Sequence, residues 1–264
     1  MYKRNQPFHL VEFSAWPIVR GFTVISLPVA MLCFIKSHRA KILIMQVVLI
    51  FVVAFLWWRD VSREATYQGW HNLPVLRGLK TGILLFILRE VIFFFRFFWA
   101  FFHASLSPTN EIGMVWPPVG LVVIDAFSVP LLNTAILLLS GVSVTWAHHA
   151  IEANRKESAV LGLRATCALG IYFIFLQGIE YHEASFRFAD SVYGSTFFIA
   201  TGFHGVHVIV GTIFLIYMLY RLVRNHFGGD HHVGFLSAAW YWHFVDVVWL
   251  FLFLSIYWWG GFTM

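Results

Sequence analysis

Seven stretches of this chain are each long and apolar enough to cross a bilayer, which constrains the fold more than any motif. They run over about 16–34, 42–58, 79–103, 128–148, 160–182, 194–220 and 236–258. A helix needs about 20 predominantly apolar residues to span the hydrocarbon core. The second stretch is the shortest, and Trp57 and Trp58 close it where indole rings favour the headgroup layer. Charged or Pro-rich connections such as 59–77, 105–125 and 224–234 separate the stretches. The expectation is an all-α, polytopic membrane protein with seven transmembrane helices. A single membrane domain over 1–264 would hold helices I and II at about 16–58 and helices III to VII at about 79–258.

Composition supports a bilayer as the solvent. Only 12% of the residues are charged and the mean hydropathy is +0.75, whereas about a quarter of a soluble domain is charged. In water such a chain would expose large apolar patches. A soluble enzyme, a disordered regulator and a nucleic-acid binder are therefore not expected. Cys33 and Cys167 sit far apart inside apolar runs, as small buried hydrophobes do. The start, MYKRNQPFHLVE, has neither the apolar core of a signal peptide nor the Arg- and Ser-rich character of a transit peptide. Insertion without a removable address, close to the site of synthesis, is the expectation.

The basic residues fall unevenly between the two sides. Alternating seven crossings put Lys3, Arg4, Arg59, Arg63, Arg77, Lys80, Arg155, Lys156, Arg164, Arg221 and Arg224 on the N-terminal side. Lys36, Arg39, Lys41 and Arg187 fall on the other. This excess places the N-terminus on the positive-inside face, cytoplasm or matrix.

Ionisable groups at membrane depth are costly and each requires an account. Glu90 lies in the middle of the third span, either in a proton path, or holding a lipid headgroup or polar partner, or as a neutral hydrogen-bonded carboxyl. Gly82, Arg89, Arg96 and His103 recur every seven residues on one helical stripe. Gly82 there suggests a seam where another backbone approaches closely. Each arginine at mid-bilayer costs about 2.5–3.5 kcal/mol.

In the sixth span His204 and His207 are three apart, as are His243 and Asp246 in the seventh. Such pairs ligate metals, or hydrogen-bond between helices as polar glue. The second reading fits better, because a metal site needs three or four converging ligands. His148, His149, His231 and His232 lie at span ends or in a loop, where solvation is the default. Glu180, Glu183 and Asp190 read as an acidic, solvated edge near Arg187. Neither a phosphate loop, nor a Ser/His/Asp arrangement, nor a nucleotide fingerprint is present; no catalytic residues are expected.

Five segments are long and specific: WWRDVSREATYQG (57–69), FFWAFFHASLSPTNEIGMVWPP (97–118), VPLLNTAILLLSGVSVTWAHH (129–149), DSVYGSTFFIATGFHGVHVIVG (190–211) and AAWYWHFVDVVWLFLFLSIYWWG (238–260). Together they resemble the subunit III family of mitochondrial cytochrome c oxidase, from about Pro7 to Gly261. The resemblance implies a multi-pass protein of the mitochondrial inner membrane with the N-terminus on the matrix side. Its first two helices would be splayed from a five-helix bundle by a lipid-filled cleft. It implies an accessory core subunit that stabilises the catalytic chains and supports proton uptake, lipid binding and oxygen access during electron transfer from cytochrome c to O2. No metal or cofactor would be bound by this chain: haem and copper belong to partner subunits, oxidase subunits I and II, and phospholipids are the expected ligands.

Residue by residue, the resemblance implies that Glu90 is the family's buried carboxylate facing the cleft. Trp58, Arg63, His71 and Arg221 match positions suited to lipid headgroups. His9 matches a matrix-side histidine for proton uptake, although Lys3 and Gln6 replace other early histidines of some relatives. At 89 and 96 relatives carry small residues, commonly serine or glycine. Invertebrate mitochondrial codes read AGA and AGG as serine, so Arg89 and Arg96 are candidates for misread serine codons, with Arg77 and Arg187 sharing that origin on weaker grounds. Two alternatives stand beside this assignment: subunit III of a quinol oxidase of the same superfamily, and an autonomous proton or ion transporter. The transporter would require carboxylates in several helices, and a membrane di-metal oxygenase would require close histidine boxes.

Overall fold

A computed structural model of the chain describes residues 8–9, 11–229 and 232–262, and among these there is no strand. Seven long helices carry the fold: α1 (Trp16–Ser37), α2 (Ala40–Thr66), α3 (Leu73–Leu106), α4 (Val129–Glu152), α5 (Lys156–Glu183), α6 (Val192–Val223) and α7 (Val233–Leu252). A π-turn over Phe253–Trp258 and a 3-10 turn over Trp259–Gly261 prolong α7. Each helix contains the corresponding predicted stretch, apart from a residue at the start of the fourth and the extension that completes the seventh. The expected all-helical class is observed.

Six of the helices are long and apolar enough to cross a membrane; α3 is not among them. Its 34 residues are ample in length. Arg89, Glu90 and Arg96, within two turns, put three charges into its most apolar part. Length and charge therefore disagree at the helix that carries the most unusual residues.

The helix ends follow from local chemistry. Pro17 and Pro130 stand in the first turns of α1 and α4, where a missing N–H costs nothing. Asn154 and Asn225 take left-handed backbone at the ends of α4 and α6. There Arg155 N–H donates to Ala150 O and His226 N–H to Arg221 O, closing the last turns. Ser191 caps α6 by accepting from Gly194 N–H.

The chain divides into two compact units, Met1–Leu79 and Lys80–Met264. In the first, α1 and α2 form an antiparallel hairpin joined through left-handed His38. Trp16 Nε1 donates to Asp60 Oδ2 at 2.9 Å and Arg20 Nη1 to Ile50 O at 3.2 Å. Gln46 donates to Thr23 O, so polar groups inside two apolar helices are satisfied across the hairpin.

The second unit is a bundle whose centre is Trp242 of α7. Its indole N–H donates to Ser140 Oγ of α4 at 2.8 Å. The ring lies against Gly170 of α5 and Gly211 of α6, where an added Cβ would approach it to 2.8 and 2.9 Å. Glycine is required at both places by a close approach that any side chain would block. From Lys80 onward α3 packs its phenylalanines on the bundle: Phe93 against Phe203, Phe94 against Phe244 and Phe98 against Phe251. The loop after α3 returns Trp116 to a fully buried site against Phe101 and Tyr193.

Among the described residues no neighbour forms the expected seam at Gly82, since a Cβ there would meet nothing within 4 Å. The close approaches belong to α5 and α6, whose glycines face a large ring. Sequence spacing marks small residues on a stripe but does not say whether a neighbour covers the stripe.

Candidate functional site

Glu90 is placed on the side of α3 that meets α6. Its side chain is only 13% exposed, and Oε2 lies 3.2 Å from His207 Nε2. The other nitrogen of that imidazole, Nδ1, lies 2.7 Å from Phe203 O. A carbonyl only accepts, so Nδ1 carries a hydrogen. Nε2 then faces the carboxylate as the lone pair of a neutral ring or as the second N–H of a charged one. Arg89 also donates to Glu90 Oε1, through Nη2 at 2.6 Å and Nε at 3.1 Å, but its side chain is 71% exposed. The result is a carboxylate–imidazole pair inside helices of membrane-spanning length, shielded by Phe94 and Tyr241.

The two histidines of α6 part company. His204 is buried between Phe173 and Trp249, and its Nε2 donates to Val245 O at 3.2 Å. His204 thus ties α6 to α7, while His207 ties α6 to α3. On α7, His243 Nε2 lies 3.2 Å from Thr145 Oγ1 of α4, and Nδ1 stands 3.8 Å from Asp246 Oδ2. Asp246 Oδ1 is buried with no hydrogen-bond partner among the described residues. Asp246 presses towards Gly141, whose missing side chain leaves it room. The donor atoms of His204, His207 and His243 therefore turn to separate partners, and this geometry does not fit a haem or copper centre.

In the first unit the end of α2 and the turn after it gather several predicted residues. His9 stacks on Trp70 at 5.0 Å, meets His71 edge-on at 6.3 Å and reaches Glu64 Oε2 at 3.8 Å. Trp58 is exposed, and Arg63 extends outward with its guanidinium 3.9 Å from Asp60. Lys3 and Gln6 lie outside the described residues. Arg221 is in the second unit and is buried at the end of α6, its guanidinium over the Phe227 ring at 4.8 Å. Beyond it, burial first and then the cations Arg221 and Arg224 hold His226 below the usual histidine range.

Two features depart from the sequence reading. Glu180 is not part of a solvated edge: it is 4% exposed within α5. Its Oε1 accepts from Tyr257 at 2.6 Å and from Gln177 at 2.8 Å, and Asn133 of α4 extends the network to Gln177 Oε1 at 3.4 Å. The available signal was its position inside the stretch 160–182, three residues after Gln177. Arg187 does not pair with Glu180; its backbone N–H donates to Asp190 Oδ2. Secondly, His148 of α4 and His232 before α7 meet at 3.3 Å, although both read as solvated. They are 84 residues apart, and no local pattern announces the contact. His231 lies outside the described residues.

A sequence model of the family described as cytochrome c oxidase subunit III matches residues 6–261. The chain belongs to the cytochrome c oxidase subunit III family. Curated proteins named cytochrome c oxidase subunit 3 are similar to it along nearly their whole length. One from Drosophila melanogaster is 54% identical over 257 residues, covering 97% of this chain and 98% of the fly protein. One from Gadus morhua is 53% identical over 261 residues, covering 99% of this chain and all of its own length. One from Branchiostoma floridae is 56% identical over 255 residues, with 97% of each chain covered. Within this subunit III chain the Glu90–His207 pair sets a carboxylate against an imidazole between α3 and α6.

Proposed function

We propose that this chain is an accessory core subunit of cytochrome c oxidase, respiratory complex IV, in the mitochondrial inner membrane. Within that assembly it contacts subunits I and II and stabilises them while they carry electrons from cytochrome c to O2. The haem and copper sit in those partners. The observation that carries this reading is the family match from residue 6 to 261. The divergent donors of His204, His207 and His243 support a structural and not a redox role.

The finer assignments belong to the same reading. Seven spans require α3 to cross as well, and its 34 residues and phenylalanine-rich face support that. The Lys/Arg bias supports an N-terminus on the matrix side. The family arrangement, with two helices leaning away from five and lipid between, is retained as part of the proposal. Glu90 with His207 serves as its buried polar anchor. Trp58, Arg63, His71 and Arg221 serve phospholipid headgroups, and the exposure of Trp58 and Arg63 at one end of α2 supports the first two. His9 contributes to proton uptake, and the cleft to oxygen access.

Glu90→Gln and Glu90→Ala in the assembled oxidase test the reading. Initial turnover is expected to remain largely intact. Retained phospholipid, measured by mass spectrometry, and activity over prolonged turnover are expected to fall, more for alanine than for glutamine. Loss of haem from the complex, or oxygen reduction by the isolated chain, would overturn the accessory role.

A further inference from the structure

We propose that His148, Glu152 and His232 form a divalent transition-metal site, best matched to Zn2+, that clamps the end of α4 to the start of α7. The two imidazole Nε2 atoms stand 3.3 Å apart, and His148 Nε2 is 3.7 Å from Glu152 Oε1. One ligand atom from each of the three residues lies within 4.8 Å of the others. Tetrahedral zinc with Zn–N bonds of about 2.0–2.1 Å holds its ligand nitrogens roughly 3.3–3.4 Å apart. The imidazole spacing therefore already matches one edge of that tetrahedron.

The surroundings orient the donors. His232 Nδ1 lies 3.3 Å from Gly228 O, which only accepts, so the hydrogen sits on Nδ1 and Nε2 is the nitrogen turned to the metal position. A second ring nitrogen tied to a backbone carbonyl is the usual outer support of a metal-bound histidine. His148 is steadied by stacking on Phe235 at 5.8 Å. Glu152 follows His148 by one helical turn, and its Oε2 is held by His149 Nδ1 at 3.1 Å. Two nitrogens and one oxygen suit Zn2+ among available divalent ions and leave a fourth position for water. The clamp joins segments distant in sequence, so metal binding adds stability to the bundle end in proportion to its affinity.

The test uses the full chain, purified in detergent and stripped with a chelator, with Co2+ and then Zn2+ as the probes. One Co2+ per chain with the visible bands of tetrahedral nitrogen and oxygen ligation, displaced by Zn2+, is the expected result. His148→Gln and His232→Gln are each expected to weaken binding by about tenfold or more. Because both variants can misfold, the unaltered chain supplies a second readout. Zn2+ is expected to protect His148 and His232, but not His149, from diethylpyrocarbonate, as located by peptide mass spectrometry. Absence of Co2+ uptake by the unaltered chain, unchanged affinity in His148→Gln/His232→Gln, or no protection by Zn2+ would each overturn the site.

Discussion

At residue scale, Glu90 and its neighbour 89 separate two kinds of membrane charge. Glu90 Oε2 lies 3.2 Å from His207 Nε2 and is shielded by aromatic rings, so its burial is met by a polar partner. Arg89 reaches Glu90 from the exposed side, and both line a groove with Arg96, Leu85, Leu88 and Phe93. With α3 crossing the membrane as proposed, two outward guanidinium groups would cost about 2.5–3.5 kcal/mol each, or more. Serine would remove both costs and leave the Glu90–His207 pair intact. Mass spectrometry of peptides covering 85–100 from the native protein is expected to give serine masses at 89 and 96; trypsin cleavage after either position would refute this. At the same scale Tyr257→Phe removes a 2.6 Å hydrogen bond to the buried Glu180. The expected loss is about 1–3 kcal/mol of stability, read as a lower unfolding midpoint of the full chain in detergent. An unchanged midpoint would show that the network is not a stabilising one.

At the scale of elements, the bundle is organised by what glycine permits. In a helix interior alanine is normally better than glycine by about 1 kcal/mol. At Gly170 of α5 the new Cβ would stand 2.8 Å from both Trp242 Cη2 and Thr212 Oγ1, whereas at Gly178, two turns further along, it would meet nothing within 4 Å. Gly170→Ala is therefore expected to destabilise the chain by about 1–3 kcal/mol, and Gly178→Ala to leave it unchanged or slightly steadier. Thermal unfolding of the two variants side by side checks this, and equal effects would refute the Trp242 cradle. Both glycines look alike in an apolar run. Only the position of the indole, brought from 72 residues away in sequence and held by Ser140, distinguishes them.

At the scale of the whole molecule, membrane character, helical class and helix order follow from hydrophobic run length, because a helix that must satisfy its own backbone in lipid requires a long apolar stretch and little else. In the structure, the local backbone chemistry of Pro17, Pro130, Ser191 and Asn154 sets where helices begin or end. The tertiary structure decided which polar groups meet. His207 turns to Glu90 and His204 to Val245, Glu180 is enclosed by Tyr257, and His148 finds His232. These contacts join residues on different helices, and their partners depend on helix rotation and packing. Apolar runs determine that helices form and leave their rotation open; side-chain packing between neighbours then settles it.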